Sequence, residues 1–317
     1  MSIITAKPLN PIKRPKQNSL VQKSLYLMIL PAVVLVAIYS YGPLAGWSIA
    51  FQEFRLGDKL FTSPWVGLDN FRFVFSLPEF RSALFNSFFI ASMKLVAGTA
   101  APVIVSLMLN EMRWIAGKRV IQTTIYLPHF ISWLIIAGIL QDLLLPSTGA
   151  VNMVIKAMGF QPIMFLANKQ MFPFVLVAAD VWKEFGFGTI IYLSTLTSID
   201  PNLYEAASID GAGRFRRMWH ITMPGLLPII ALLTTLNLGN ILNAGFDQVV
   251  NMYSPLVYQT GDILDTLVFR IGLGSGASSA PQYDIATAVG MFQSTVSFVL
   301  VSGTYYLAYR FANYRIF

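Results

Sequence analysis

Ser24-Leu-Tyr-Leu-Met-Ile-Leu-Pro31-Ala-Val-Val-Leu-Val-Ala-Ile-Tyr-Ser40-Tyr-Gly-Pro43-Leu-Ala-Gly-Trp47-Ser-Ile-Ala-Phe-Gln52 runs for 29 residues, between Lys23 and Glu53, without a formal charge. The apolar region of a signal peptide is about 7–15 residues long, whereas a helix crossing the hydrocarbon core needs about 20. The stretch is therefore read as an uncleaved anchor and a first membrane span. Lys7, Lys13, Arg14, Lys16 and Lys23 precede it with no acid among them, making residues 1–23 a short basic tail. Five further apolar stretches come after it, so that spans are expected at about 24–51, 83–110, 120–142, 172–199, 224–250 and 285–309. A polar, proline- or glycine-bearing connection separates each from the next; the last is Gly/Ser-rich over 272–279.

The whole chain has the same character. Of its 317 residues 55% are hydrophobic and 12% charged, half the roughly 25% charge of an average soluble domain. So thin a polar supply does not cover a folded surface of this size, which excludes a soluble globular protein, and the high hydrophobicity excludes disorder. There is no cysteine, and the two histidines, His129 and His220, lie far apart. A disulfide framework and a thiolate metal site are thereby excluded, and no metal-ligand spacing is present. No cofactor is expected.

Backbone amides cannot stay unpaired in hydrocarbon, so spans of this length are helices rather than the short alternating strands of a barrel. The expected fold class is all-α integral membrane, with six transmembrane helices making one domain over 24–317. Lysine and arginine bias sets orientation. With the N-terminus inside, the inner segments hold 13 of the 22 basic residues: the five of the tail, Arg113, Lys118, Arg119, Arg214, Arg216, Arg217, Arg310 and Arg315. The outer segments are close to neutral, giving N-in and C-in. The net charge of +7 thus marks the inner membrane face rather than nucleic-acid affinity. Pro31, Pro43, Pro102, Pro128, Pro173 and Pro228 lie in or near spans, where each is expected to kink its helix. Ala97-Gly-Thr-Ala-Ala101 offers a small-residue face for close helix packing.

The inner loop between the fourth and fifth spans reads Asp200-Pro-Asn-Leu-Tyr-Glu205-Ala206-Ala207-Ser-Ile-Asp210-Gly211-Ala212-Gly213-Arg214-Phe-Arg-Arg-Met-Trp-His-Ile-Thr-Met223-Pro224. Asp200 before Pro201 is a helix start, because the carboxylate accepts free amides and proline fits the first helical position. Gly211 and Gly213 supply a stop, and Pro224 limits the next helix. A short helix over about 201–209 is expected, then a turn and a second short basic helix. Ala206 and Ala207 leave little bulk on the first helix, so another surface can approach it closely. Glu205, Asp210, Arg214, Arg216 and Arg217 surround that contact with ion-pairing positions. The same features also fit an amphipathic helix lying on the membrane surface.

Glu205-Ala206-Ala207, Gly211 after three intervening residues, then Ile221 and Met223-Pro224, resemble the "EAA" signature of ABC-importer permeases, with Met223 in place of the usual leucine. Elsewhere the segments Asp180–Gly186, Asn243–Gln248, Asn251–Tyr253, Gly261–Thr266 and Ala286–Phe292 resemble the polysaccharide/oligosaccharide sugar branch of that family. The resemblance implies an ABC-importer type I permease fold and one half of a heterodimeric pore. A second permease subunit, two ATP-binding subunits and an extracytoplasmic solute-binding protein would be its partners, an oligosaccharide its cargo, and the bacterial cell membrane its location. It also implies that Glu205, Ala206, Ala207, Asp210, Gly211, Ala212, Arg214 and Pro224 couple the chain to the ATPase. The phosphate-cradling pattern G-x-x-x-x-G-K-[ST] is missing from the sequence, so the chain is expected to be a transport subunit and not an enzyme.

Charges inside the spans need partners. Asp180, Lys183 and Glu184 fall near mid-depth of the fourth span, where each charge costs about 2.5–3.5 kcal/mol. Lys183 is expected to pair with Asp180 one turn back on the helix. Trp182 beside it offers a ring for stacking on a sugar, or for burial in packing. Asn243, Asp247 and Asn251 recur at one-turn spacing and so share a face; with Gln248 they would supply donors and acceptors to a hydroxyl-rich cargo, or bonds between helices. Trp182, Lys183, Asn243, Phe246, Asp247 and Gln248 are accordingly the candidate substrate path. Lys94 in the second span has no role assigned by the sequence. A self-contained secondary sugar transporter is the alternative function; it explains the intramembrane charges but not the loop over 200–224.

Overall fold

A computed structural model of the chain describes residues 19–239, 241–274 and 280–312, with side chains described from residue 23 to residue 306 within those ranges. Lys7, Lys13, Arg14 and Lys16 of the basic tail, Arg315, and residues 275–279 of the Gly/Ser-rich connection lie outside the described residues. The described residues are helical in every named element; the single strand-like feature among them is an isolated bridge between Gln52 and Trp65.

The chain divides into two compact units after residue 48. The first contains helix α1 (Ser19–Val36), which opens into a π-turn over Ala37–Tyr41 and then a 3₁₀ run over Gly42–Phe51. Pro43 has no amide to continue the α-helical ladder, which accounts for the change of pitch there. The side chains of Leu25, Leu27, Met28, Leu35 and Ile38 are exposed, as suits an element whose solvent is lipid.

In the second unit α2 (Asp69–Ser76) leads into α3 (Pro78–Glu111). Next come α4 (Ile115–Tyr126), a 3₁₀ turn at Leu127–Phe130, α5 (Trp133–Leu144) and the short α6 (Ala150–Ala157). Helix α7 (Phe172–Thr197) packs along α3 more extensively than any other pair. After it stand α8 (Pro201–Ile209), α9 (Arg214–Arg217), a π-turn at Met218–Thr222 and α10 (Met223–Leu238). The chain ends with α11 (Phe246–Met252), α12 (Tyr258–Gly261), α13 (Leu264–Gly272) and α14 (Tyr283–Ala312). Three apolar clusters hold the unit: Ile90, Phe172, Leu176 and Val249; Val74, Phe80, Leu264 and Val289; and Val103, Tyr192, Leu196 and Leu226.

Among the described residues four helical stretches, 23–51, 78–111, 214–238 and 283–306, are long and apolar enough to cross a membrane. Residues 115–130 and 133–144 make a fifth if that pair, bent by 104°, counts as one span. Helix α7 has 26 residues but carries Asp180, Lys183 and Glu184 in its middle. Two expected spans are therefore not continuous helices. In the third, Pro128 removes an amide from the ladder, the chain tightens to 3₁₀, and Ile131 and Ser132 are extended before α5 starts. The fifth stops at Leu238, because Gly239-Asn-Ile-Leu-Asn-Ala-Gly245 is rich in residues that helices disfavour. Gly245, at φ +96°, closes that break in a conformation an L side chain rarely adopts. Proline does not break every helix: Pro31, Pro102 and Pro228 lie inside helices, and Pro173 starts α7.

Two of the connections are tied down by single amides. The Asn86 side chain donates to the carbonyls of Gln259 and Asp262, at 3.1 and 3.0 Å, joining α3 to the segment before α13. Asn152 of α6 donates to Leu144, Leu145 and Ile163 and accepts from the Ile163 amide. Each such bond satisfies a backbone group that the absence of regular structure would otherwise leave orphaned.

Candidate functional site

The segment 200–224 forms the first part of the site. Asp200 accepts the Asn202 amide at 2.9 Å and so caps α8 at the expected residue. At the other end Asp210 N donates to Ala206 O, Gly211 N to Ser208 O and Ala212 N to Ala207 O, with distances of 3.0, 3.1 and 2.8 Å. Gly211 turns this corner at φ +72°. None of α8 is buried: Leu203, Glu205, Ala206, Ile209 and Asp210 face solvent, and Phe215 and Trp219 beyond the turn are exposed as well. The helix is nevertheless fastened at its back. Tyr204 and Thr222 meet hydroxyl to hydroxyl at 3.0 Å, and Arg217 donates to Ser208 Oγ at 2.7 Å.

One expectation here is corrected. The short basic helix is present as α9 but does not stop before Pro224; residues 214–238 run on as a helical stretch through the π-turn, with Pro224 in the first turn of α10 where its missing amide costs nothing. Of the expected ion-pairing positions, Arg214 approaches Glu111 of α3 at 3.9 Å, while Glu205 and Asp210 have no partner among the described residues.

The second part is a pair of cavities flanking the break after α10. One, of about 480 Å³, lies among α3, α7, α10 and the break, with Lys94, Asp180, Glu184, Asn237 and Asn243 in its wall. The other, of about 870 Å³, lies among the break, α13 and α14, and is lined by Asn243, Phe246, Asp265, Gln293, Ser294 and Ser297. In the second cavity Gln293 donates to Asp265 Oδ1 at 2.8 Å. Burial pushes the Asp265 carboxyl above its ordinary range, and the bond from Gln293 works against that. Asp262 nearby is also raised, chiefly by burial; Thr266 and Arg270 donate to it, each at 2.6 Å, and hold it partly back.

The intramembrane charges pair differently from the expectation. Lys183 does not meet Asp180: its ammonium lies 2.8 Å from Glu184 Oε1 and 2.8 Å from the His129 carbonyl oxygen. Glu184 in turn meets His129 Nδ1 at 2.6 Å. Asp180 instead pairs with Lys94 of α3 at 3.1 Å. Lys183 lies near the turn that breaks the third span, and the carbonyl freed there, together with the adjacent Glu184, takes the place expected of Asp180.

The six candidate path residues are thus dispersed. Asn243 lines both cavities and Phe246 the larger. Gln248 is fully buried, donating to Leu176 O at 2.7 Å, and Lys183 is buried in its own cluster. Asp247 is exposed on α11. Asn243 precedes that helix, so the shared face of Asn243, Asp247 and Asn251 does not exist. Trp182 lines a separate apolar groove with Met93, Ala97, Ala101, Phe174 and Phe185. Lys94, Asp180, Asp265 and Gln293 were not among the candidates. A charge midway along an apolar helix was the available signal for Lys94; for Gln293 there was none.

An all-helical membrane chain with broken spans and an exposed, capped helix fastened to the foot of one of them has the fold of an ABC-importer permease. The chain belongs to the family described as the binding-protein-dependent transport system inner membrane component, whose model matches residues 98–311. It is 40% identical over 295 residues to protein LplB of Bacillus subtilis (strain 168), covering 93% of this chain and 91% of that protein. To the polygalacturonan/rhamnogalacturonan transport system permease protein YteP of the same organism it is 38% identical over 296 residues, with the same coverage of 93% and 91%. Among solved structures it superposes on a chain of a bacterial ABC transporter involved in the import of the acidic polysaccharide alginate. There the TM-score is 0.83 at 35% identity, over 93% of this chain and 99% of that one. The chain is accordingly a multi-pass inner-membrane transport subunit.

Proposed function

We propose that the chain forms one half of the translocation pore of an ATP-driven importer for oligosaccharides or polysaccharide fragments. It would cross the membrane six times with both termini inside, the bent third stretch and the broken fifth each counting as one crossing. A second permease would complete the pore, two ATP-binding subunits would dock beneath it, and an extracytoplasmic binding protein would deliver cargo. The kinship with YteP and the alginate importer supports the cargo class, and the solved complex of that importer with an alginate pentasaccharide-bound periplasmic protein supports the delivery route.

The observation that carries the reading is α8. It has no buried residue and an exposed outer face, and is capped at Asp200, turned at Gly211, and bonded through Tyr204 and Arg217 to the stretch that continues into α10. A helix of nine residues with nothing packed over it does not persist by itself in water; its fastening suits a rigid handle whose outer face meets another chain. Closure of the ATP-binding subunits would move α8 as a body, and α10 with it, favouring one of two arrangements of the helices. Asn243, Phe246 and the serines of α14 offer amide, hydroxyl and aromatic contacts to a sugar passing the break. Asp247, exposed on α11, and Trp182, in its apolar groove, remain candidates at lower rank.

Cysteine placed at Ala206 tests this. In membranes accumulating sugar, it should cross-link to an ATP-hydrolysing subunit with a yield that changes between nucleotide-free and nucleotide-trapped states. Active accumulation without any such cross-link would overturn the coupling.

A further inference from the structure

Lys94 stands midway along the 34-residue α3, so about 25 Å of helix separates it from either end. A lysine side chain does not span that distance, and the ammonium cannot escape to water along the helix. Three groups receive it instead: Ala244 O at 2.7 Å, Gln248 Oε1 at 2.5 Å and Asp180 Oδ1 at 3.1 Å. Gln248 then donates to Leu176 O of α7 at 2.7 Å. One ammonium thereby joins α3, α7 and the α11 end of the break.

The fit is mutual. A break in a helix leaves carbonyls without amides, and a cation is the strongest donor that can meet one. The residue after Ala244 is Gly245, at φ +96°; a Cβ there would lie 2.9 Å from Lys94 Nζ. Asn243, one residue before Ala244, lines both cavities. The position of the break therefore sets the wall between them, and Lys94 sets the position of the break.

We propose that Lys94 is a positioning residue of transport: its ammonium holds the stretch 241–245 against α3 and α7, and release of that tether lets the two cavities join. The proposal rests on the transport function above. Two of the three contacts are to neutral oxygens, which water or a sugar hydroxyl can replace as a cavity fills, while Asp180 keeps the charge neutralised throughout. The tether is thus reversible without stranding an ion in the membrane.

The test uses the assembled transporter in proteoliposomes, with Ser294→Cys in the larger cavity as reporter. Lys94→Met and Gly245→Ala loosen the tether from its two sides, and Lys94→Arg retains the cation. Labelling of the reporter by a membrane-impermeant maleimide is read without cargo; maltotriose and trigalacturonate uptake is read per ATP hydrolysed. Both loosening variants should raise the labelling rate from the side closed in the parent by at least fivefold and lower sugar moved per ATP by a similar factor, with Lys94→Arg recovering at least half. Unchanged labelling and unchanged coupling in Lys94→Met would overturn the proposal. So would a proportional loss of assembly, ATP hydrolysis and uptake in both loosening variants that arginine does not relieve, since that pattern is packing alone. Failure of the parent to move either sugar would count against the transport function instead, and the labelling rates would still decide on the tether.

Discussion

Tyr204 and Thr222, 18 positions apart in sequence, meet hydroxyl to hydroxyl at 3.0 Å, and this contact joins the middle of α8 to the foot of α10. Arg217 adds a second fastening at Ser208. If α8 transmits motion, its stiffness relative to α10 matters more than its own helicity. Each such hydrogen bond contributes about 1 kcal/mol. Tyr204→Phe should leave the protein inserted and assembled but lower uptake several-fold, and Thr222→Val should do the same. The double variant should be no worse than either single one, because both remove one bond. Uptake measured in the four proteins gives the answer, and strict additivity would show that the contact is incidental.

Gly211 turns the end of α8 at φ +72°. An L residue placed there pays about 1–2 kcal/mol for left-handed geometry, and asparagine pays less than alanine. There is open space around the position, so the backbone alone decides. Gly211→Ala should reduce uptake and cargo-stimulated ATP hydrolysis together, with Gly211→Asn intermediate. Equal activity of the alanine and asparagine variants would remove conformation as the cause.

What could be read in the sequence divides along physical lines. Length and hydropathy exposed the apolar helices, and local capping rules placed α8 to within a residue, because the groups that start and stop a short helix are neighbours in the chain. The break after Leu238 was less visible. Its glycines and asparagines were present as a signal, yet an apolar stretch of that length masked them. The partner of Lys94 was not legible at all: Ala244 and Gln248 lie 150 and 154 positions away, and the contact depends on how three helices pack. The same holds for Lys183, whose expected partner Asp180 lost to the adjacent Glu184 and to a carbonyl at His129, 54 positions away. Local chemistry is written locally; the polar interior is not.

Trp182 and Asn243 separate the two kinds of surface. Trp182 is 47% exposed, but onto an apolar groove away from both cavities, whereas Asn243 is shared by them. Asn243→Ala should alter the relative rates for different oligosaccharides. Trp182→Ala should leave those ratios unchanged while lowering the yield of assembled complex, as loss of a large ring from an apolar contact does. A panel of uptake ratios checks both, and a shifted ratio in Trp182→Ala would return the ring to the cargo route.

Lys183, Glu184 and His129 act as one unit at the bend of the third stretch. The lysine side chain is 8% exposed and the glutamate 40%, and His129 stacks on Phe187 with centroids 4.1 Å apart. Glu184→Gln leaves a buried ammonium with no counter-charge in the cluster, only neutral acceptors and the face of the Trp133 ring. Removing one partner from a fully buried pair costs about 3–5 kcal/mol, and the solvent reaching Glu184 should hold the loss to about 3 or less. Lys183→Met should cost less, because the carboxylate keeps both its access to water and its bond to His129. Lys183→Met combined with Glu184→Gln should be more stable than Glu184→Gln alone, since no buried charge is then unpaired. Thermal unfolding midpoints of the assembled complex in lipid nanodiscs rank the four proteins. A double variant less stable than both singles would mean that the cluster works through hydrogen-bond geometry rather than through neutralised charge.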